Sequence, residues 1–308
     1  TSLMMKDIYL FIYTFHMPLF IFVSGYFSKT VLDGKQFRIT KVILYLFLYL
    51  LLKLCFFVLS RYIFGDTNTQ FRFFVEGGPP WYLFAMSVWL CISYVIQNIK
   101  PVIVICFSVI IGVLVGYYKI VTVVDFFSLS RILVFFPFFI SGYYFNGTDL
   151  VKILKCIWLK RFSLIIITIV FIVIFVYGRD LYTLRGFFTG RNSYIALGEP
   201  VFGGIYRFLF YGLSTIISLA IMYITPNGRI FITKFGNRTL QVYFIHYLVL
   251  SVYHHYGLEI YLMKVFPYNW ELVYLCLAVG LAFVLSLKIF EFPFKKIMGL
   301  KLNKILRK

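Results

Sequence analysis

The chain has 308 residues, of which 62% are hydrophobic and 13% are charged, and its mean hydropathy is +0.91. Because a soluble domain carries about 25% charged and about 45–50% apolar residues, this composition excludes a soluble globular protein and indicates a polytopic membrane protein. The formal net charge is +19. We attribute that excess to basic residues in cytoplasmic loops and expect no nucleic-acid partner.

The cysteines are scattered along the chain, and no two of them have the spacing of a metal or redox motif. Small buried apolar side chains describe them best. The sequence therefore predicts neither a metal site nor a disulfide. They are Cys55, Cys91, Cys106, Cys156 and Cys276.

Apolar segments of about the length that a helix needs to cross the hydrocarbon core, roughly 17–25 residues, recur along the whole chain. We therefore predict an all-α fold, a polytopic transmembrane helix bundle that forms a single domain over residues 1–308. The nine predicted spans, of which the fifth is the shortest, are 8–27, 42–63, 81–98, 102–118, 131–145, 162–178, 204–225, 239–256 and 272–290.

Lys and Arg are concentrated in the loops that follow the first, third, fifth, seventh and ninth spans. The positive-inside rule places these loops, the 28–41 loop among them, and the C-terminus in the cytoplasm. Residue 1 then lies outside. One further span upstream would bring both ends of a ten-span protein to the cytoplasmic side.

The first span contains the stretch Phe15-His16-Met17-Pro18-Leu19-Phe20, followed by Ser24-Gly25-Tyr26. An ionisable side chain at membrane depth is costly and marks a functional site by default. Pro18 removes a backbone hydrogen bond, so we expect local unwinding near Thr14. A neutral imidazole there suits proton abstraction from an attacking hydroxyl. The alternative is a structural histidine that is hydrogen-bonded between helices.

Two cations, Arg38 and Lys41, open the second span three residues apart, so they share one face of its helix. They are either topology anchors or contacts to the phosphates of a cytosolic donor, for which arginine offers a bidentate fork.

Further candidates lie at the predicted outer boundary. Trp81 and Tyr82 are either aromatic-belt anchors or ligand contacts. Arg131 and Arg207 either snorkel or bind a ligand. The 179–203 loop mixes charged and aromatic residues, so it is either a solvated hairpin or part of a site for a sugar.

The eighth span begins with polar residues, since Arg238, Gln241 and His246 cannot all face lipid cheaply. His246 lies eight residues beyond Arg238, about two helical turns deeper on a similar face. It either takes part in chemistry or makes a hydrogen bond between helices.

The interval from Pro18 to Ser24-Gly25-Tyr26 is echoed by that from Pro137 to Ser141-Gly142-Tyr143, although the two spacings differ by two residues. We do not infer a repeat from this. The small residues in each segment let another helix or a ligand approach the backbone closely.

These motifs together resemble the integral-membrane acyltransferase family three, the O-acetylases of surface polysaccharides, and its fucose-4-O-acetylase-like branch most of all. The first-span signature is the most specific of them. The likeness continues in order along nearly the whole chain through Pro80-Trp81-Tyr82-Leu83, Phe136-Pro137-Phe138-Phe139 with Gly142-Tyr143, and Gly236-Asn237-Arg238-Thr239 to Tyr243 and His246.

The resemblance implies acetyl-CoA, or another acyl-CoA, as donor substrate and no permanently bound cofactor. The acceptor would be a sugar or glycan hydroxyl in a bacterial capsule polysaccharide, an exopolysaccharide or a lipid-linked precursor, reached within membrane lipid. Arg38-x-x-Lys41 matches the family's Arg-x-x-Arg pair with lysine at the second place. The implied site has His16, Ser24, Arg238 and His246 in catalysis, Arg38 and Lys41 at the donor, and Trp81, Tyr82, Arg131 and Arg207 at the acceptor.

The family usually has a preceding helix with a basic residue and a histidine, and this sequence does not show it. We expect either that the helix lies upstream of residue 1 or that the reading frame is truncated, in which case the protein would be inactive. The alternative function is a transporter or flippase of a polysaccharide precursor. It is disfavoured because the sequence shows neither a clear inverted repeat nor a matched pair of interrupted helices.

Overall fold

A computed structural model describes residues 3–32, 39–73, 78–118, 127–147, 157–226, 228 and 230–299. All regular secondary structure in these ranges is helical, which confirms the predicted all-α class. The helices are α1 (Leu3–Leu32), α2 (Ile39–Val58, continued by a π-helical turn, Leu59–Ile63), α3 (Trp81–Val95), α4 (Pro101–Leu114), α5 (Leu129–Tyr144), α6 (Ile157–Leu181), α7 (Arg185–Thr189), α8 (Gly203–Ile224), α9 (Thr239–His255), α10 (Leu258–Val265), α11 (Trp270–Leu285) and α12 (Glu291–Met298).

Every predicted span coincides with one of these helices. Within the described ranges, four helical segments are long and apolar enough to cross a membrane, namely Leu3–Lys29, Ile39–Ile63, Ile157–Thr189 and Gly203–Ile224. Trp270–Leu285 and Lys288–Ile297 meet the same test as a pair that is bent by 59°. Because α3, α4 and α5 are apolar but shorter, the polytopic class is confirmed, and the number of crossings stays a prediction.

Helix α1 is continuous through Pro18, so the unwinding expected near Thr14 is not observed. The missing proline N–H removes the backbone partner of the Thr14 carbonyl without ending the helix. Thr14 Oγ1 donates to the Phe11 carbonyl at 2.7 Å, which keeps the threonine hydroxyl within the same turn.

The chain divides into two compact units. The first comprises Thr1–Arg38, Phe74–Trp81 and Ala85–Asn227, and the second comprises Ile39–Phe73, Tyr82–Phe84 and Gly228–Lys308. The first unit therefore contains α1, α4 to α8 and most of α3, and the second contains α2 and α9 to α12. That residues 1–308 form one domain stays a prediction.

In the first unit, α1 and α5 cross at their two Ser-Gly steps. A Cβ atom at Gly25 would overlap the Phe139 carbonyl oxygen, and a Cβ at Gly142 would overlap the Phe22 carbonyl oxygen. Lys29 Nζ also donates to the Phe145 carbonyl, so the C-terminal ends of the two helices adjoin. The sequence echo is therefore a physical contact, in which each glycine admits the other helix's backbone.

Helix α5 is buried on nearly all of its surface, and ring donors from its neighbours reach its backbone. Trp89 Nε1 donates to the Ile132 carbonyl at 3.0 Å, and Tyr211 Oη donates to the Val134 carbonyl at 2.7 Å. These bonds fix α3 and α8 against the segment of α5 that carries Arg131.

The 179–203 loop is not a solvated hairpin. It forms a 3₁₀ turn and α7, and its Tyr194 is fully buried. Tyr194 donates from its backbone N–H to the Gly116 carbonyl at 2.8 Å and from Oη to the Val113 carbonyl at 2.7 Å. Burial raises the pKa of this phenol, an effect that the nearby Arg207 charge opposes. The loop is thus packed against α4 and the turn that follows it.

Candidate active site

His16 lies half-buried on α1 and is oriented by its own helix. Its Nδ1 is 2.9 Å from the Ile12 carbonyl oxygen, and the Tyr13 ring lies edge-on with its centroid 4.8 Å away. A carbonyl oxygen only accepts, so Nδ1 carries the hydrogen and Nε2 of the neutral ring carries the lone pair. The hydrogen bond runs within α1, whereas the structural alternative required one between helices.

His246 repeats this arrangement in the second unit. Its Nδ1 is 2.7 Å from the Val242 carbonyl oxygen, one turn earlier on α9, so its Nε2 also carries the lone pair. Tyr82, a predicted acceptor contact, lies edge-on to Tyr243 with ring centroids 5.4 Å apart. The Tyr243 and His246 rings are 6.2 Å apart. The fold thus connects Tyr82 to His246 through one aromatic ring.

Ser24, a candidate oxyanion donor, is bonded within α1. Its Oγ donates to the Phe20 carbonyl at 2.8 Å, and its own carbonyl accepts from Ser28 Oγ at 2.7 Å. The hydroxyl would have to exchange this bond to donate to an oxyanion, so its catalytic role stays a prediction.

Arg238, the other predicted donor, joins α9 to the end of α11. Its Nε is 3.1 Å from Glu291 Oε2, and its Nη1 donates to the Ser286 carbonyl at 2.9 Å. Gln241 is buried and donates to the Leu285 carbonyl at 2.6 Å. These side chains satisfy carbonyls at a helix C-terminus, which would otherwise lack partners. This arrangement gives Arg238 a bracing role, and its catalytic role stays a prediction.

Arg131 and Trp81 are in contact. The Arg131 Cζ atom lies 5.0 Å from the Trp81 ring centroid, and the two residues are only 7% and 8% exposed. The other neighbours of Trp81 include Phe135, with ring centroids 5.6 Å apart. Arg131 does not snorkel, and Trp81 is not a lipid-facing belt residue. The structure joins two predicted acceptor contacts in one cation–π pair.

Arg207 is fully buried, so snorkelling is also wrong for this residue. Its Cζ lies 5.6 to 5.9 Å from the ring centroids of Phe187, Tyr194 and Phe210. Nη1 donates to the Phe187 carbonyl, whereas Nε and Nη2 have no hydrogen-bond partner among the described residues. A buried guanidinium with two unused donors has the chemistry to bind an anionic or carbonyl oxygen.

The predicted donor contacts are less fully described. Lys41 lies half-exposed in the first turn of α2. Arg38 lies outside the described residues, so both donor contacts stay predictions.

A family model described as an acyltransferase domain matches residues 1–290. The chain belongs to acyltransferase family three. The protein is therefore a membrane acyltransferase, and a transporter is not favoured. A comparison with curated proteins found no match, and neither did a comparison with solved structures. Assignment to the fucose-4-O-acetylase-like branch and the expected upstream helix stay predictions.

One polar feature of this acyltransferase was not predicted. Ser214 and Ser218 are buried on α8, and their Oγ atoms have no hydrogen-bond partner within the part of the chain that the structure describes. With Arg207 and Tyr211 they form a stripe at helical spacing, on one face of an otherwise apolar helix. The recurrence of polar residues every three or four positions was the available signal.

Proposed function

We propose that this acyltransferase moves an acetyl group from acetyl-CoA to a hydroxyl of a cell-surface polysaccharide or of its lipid-linked precursor. The observation that carries the proposal is the geometry of His16. A carbonyl of its own helix holds Nδ1–H at 2.9 Å, which directs the basic Nε2 away from that carbonyl. Family membership supplies the reaction class, and the imidazole supplies a base at membrane depth.

In the proposed reaction the acceptor hydroxyl attacks the thioester carbon while Nε2 of His16 takes its proton. A C–O bond forms and the C–S bond breaks. The imidazolium then gives the proton to the departing thiolate, so CoA leaves as a thiol and the neutral imidazole is restored. Ser24 would stabilise the oxyanion after exchanging its bond to the Phe20 carbonyl, or Arg238 after exchanging its bond to Glu291 or to the Ser286 carbonyl.

The remaining side chains have supporting roles in this proposal. Arg38 and Lys41 hold the donor phosphates at the cytoplasmic surface. The Arg131–Trp81 pair, Tyr82 and Arg207 orient the sugar, because rings and charged donors together suit a polyhydroxylated ligand. We place the protein in the cell membrane as a multi-pass protein with a cytoplasmic C-terminus.

The test is His16→Ala, assayed by mass spectrometry for the acetyl mass difference in the surface glycan and for transfer in isolated membranes. We expect transfer to fall by about 10²-fold or more, the usual contribution of a general base, with partial rescue by added imidazole. His254→Ala is the matched control, since His254 is an exposed histidine on α9. Normal acetylation in His16→Ala would exclude the role given to this residue.

A glycan that shows no acetyl difference between cells with and without the gene would contradict the proposed acceptor. Transfer of a different acyl group from another acyl-CoA, with no transfer from acetyl-CoA, would redefine the donor instead.

A further inference from the structure

A cavity with charged lining residues lies apart from the candidate active site, between the first turns of α1 and the C-terminal end of α6. Its volume is about 320 Å³, within the roughly 300–1,000 Å³ that small-molecule sites occupy. By the predicted topology it opens on the outer side of the membrane. It is lined by Leu3, Lys6, Asp7, Gly178, Arg179 and Tyr182.

Two cations line the cavity, and a third, Arg185, lies close to it on the Tyr182 ring. Lys6 Nζ lies 5.5 Å and Arg185 Cζ 4.2 Å from the centroid of the Tyr182 ring, so one ring holds two cations close together. Arg179 is the other cation on the lining. No ion pair involves these three cations among the residues that the structure describes. Their charge is therefore available to a ligand.

One carboxylate, that of Asp7, lies inside the same cavity. It is accommodated by Gly178, because a Cβ at that position would overlap Asp7 Oδ1. No hydrogen bond joins this carboxylate to another described residue. Asp7 therefore offers an acceptor to a ligand, held against the backbone of α6.

The cavity contains both cations and a carboxylate, and this combination favours one class of ligand over others. Asp7 repels a simple anion such as phosphate, and a neutral sugar makes no use of the charge on Lys6 and Arg179. A sugar that carries an anionic group uses both, since its ring hydroxyls donate to the carboxylate and its anionic oxygens accept from the cations.

We propose that this cavity binds an acidic sugar, with its hydroxyls on Asp7 and its carboxylate or phosphate on Lys6 and Arg179. It would serve as a subsite for the glycan acceptor, a role that rests on the proposed function. The acceptor glycan would then contain acidic units, and the cavity would select for them.

The experiment is a direct titration of the full protein in phosphatidylcholine nanodiscs, without acetyl-CoA. The probes are a glucuronate-containing disaccharide, glucose 6-phosphate, a neutral disaccharide of the same size, and inorganic phosphate. We expect at least one charged sugar to bind about tenfold or more tightly than the neutral one. The preferred sugar distinguishes a carboxylate ligand from a phosphate ligand.

Variants assign the binding to the cavity. Lys6→Gln and Arg179→Gln should each weaken binding of the charged sugar about tenfold. Arg161→Gln removes an exposed cation at the other end of α6, beside Trp158, and should leave binding unchanged. Asp7→Asn should weaken the sugar but strengthen inorganic phosphate, and misfolding cannot produce such opposite changes.

Equal affinity for charged and neutral disaccharides would overturn the proposal. So would equal losses in Lys6→Gln and Arg161→Gln. Nanodiscs that contain phosphatidylglycerol test a lipid headgroup in the cavity. If that lipid abolishes binding of the charged sugar in competition, the site belongs to the headgroup and the proposal fails. No acyl donor is present in this titration, so a failure to bind acidic sugars would not contradict the proposed acetyl transfer. Equally, a failure of the acetyl-transfer test would not contradict sugar binding in the cavity.

Discussion

Arg207 raises the question of why a membrane enzyme buries a full positive charge. Removing such a group from water costs several kcal/mol, and each ring contact returns only about 0.5–2 kcal/mol. The Phe187 carbonyl satisfies one nitrogen, while Nε and Nη2 stay without partners among the described residues. The proposed acceptor role would supply oxygen partners for these two nitrogens, which the described residues leave without one.

Arg207→Met tests this argument, because methionine fills similar space without the charge. We expect the free energy of unfolding to stay unchanged or rise by up to about 1–4 kcal/mol, as for other buried charges that are replaced by apolar residues. Acetyl transfer should fall about tenfold or more. Thermal unfolding and transfer are measured on the same preparation, with exposed Arg161→Met as control. A large loss of stability with normal transfer would make Arg207 a purely structural residue.

The sequence predicted the candidate site residues but not the side chains that surround them. A basic residue near the end of an apolar run has the same pattern whether it snorkels, or is enclosed by rings that come from distant segments, as Arg131 and Arg207 are. The orientation of His16 is local, because its Nδ1 bonds the carbonyl of Ile12, four residues earlier on the same helix. That part could have been derived from the sequence.

At the scale of elements, the crossing of α1 and α5 depends on a five-residue segment that occurs in both helices, a repeat that the sequence pattern contains but that we did not infer from it. The repeated unit is Phe-x-Ser-Gly-Tyr, at Phe22 to Tyr26 and at Phe139 to Tyr143. Counting from Pro18 and Pro137 hid this register, since the prolines are not equivalent. Counting from the phenylalanines gives identical spacings, and each phenylalanine carbonyl faces the other segment's glycine.

Gly142→Ala should destabilise the protein, because its Cβ would overlap the Phe22 carbonyl and force the two helices apart. Overpacking of this kind costs about 1–3 kcal/mol, which thermal unfolding in detergent would measure. Gly212→Ala is the matched control, since a Cβ at Gly212 meets nothing within 4 Å. The double variant Gly25→Ala/Gly142→Ala should cost less than the sum, because helices already separated by one clash accommodate the second. Equal behaviour of Gly142→Ala and Gly212→Ala would contradict the close crossing.

The length of the apolar segments located the helices, but it did not predict the turns and short helices that lie between them. Three short elements have no sequence periodicity long enough to be recognised. They are the π-helical turn at Leu59–Ile63, the 3₁₀ turn at Tyr182–Leu184 and α7. These elements depend on tertiary contacts, such as the two hydrogen bonds that anchor Tyr194. The sequence pattern could not supply those contacts.

At the scale of the whole molecule, helix length and burial account for the short fifth predicted span. Helix α5 has 16 residues, or about 24 Å, which is less than the roughly 30 Å hydrocarbon core. A lipid-facing helix of that length would be mismatched. Since α5 is enclosed by protein on nearly all sides, its length need not match the bilayer. The short span thus reflects a central position in its unit, not a misassigned loop.

The distribution of charge over the chain makes the last prediction, which concerns orientation. The basic loops predict that the turn after the second span lies outside and that the segment after the ninth lies in the cytoplasm. Asn68 is exposed in the turn after the second span, and the Lys295 side chain is 79% exposed in the segment after the ninth.

In a background where the native cysteines are alanine, an impermeant maleimide should label Asn68→Cys in intact cells. Lys295→Cys should react only after permeabilisation, which also serves as the control that both thiols are accessible. Labelling in the reverse pattern would invert the topology, and with it the assignment of donor and acceptor sides.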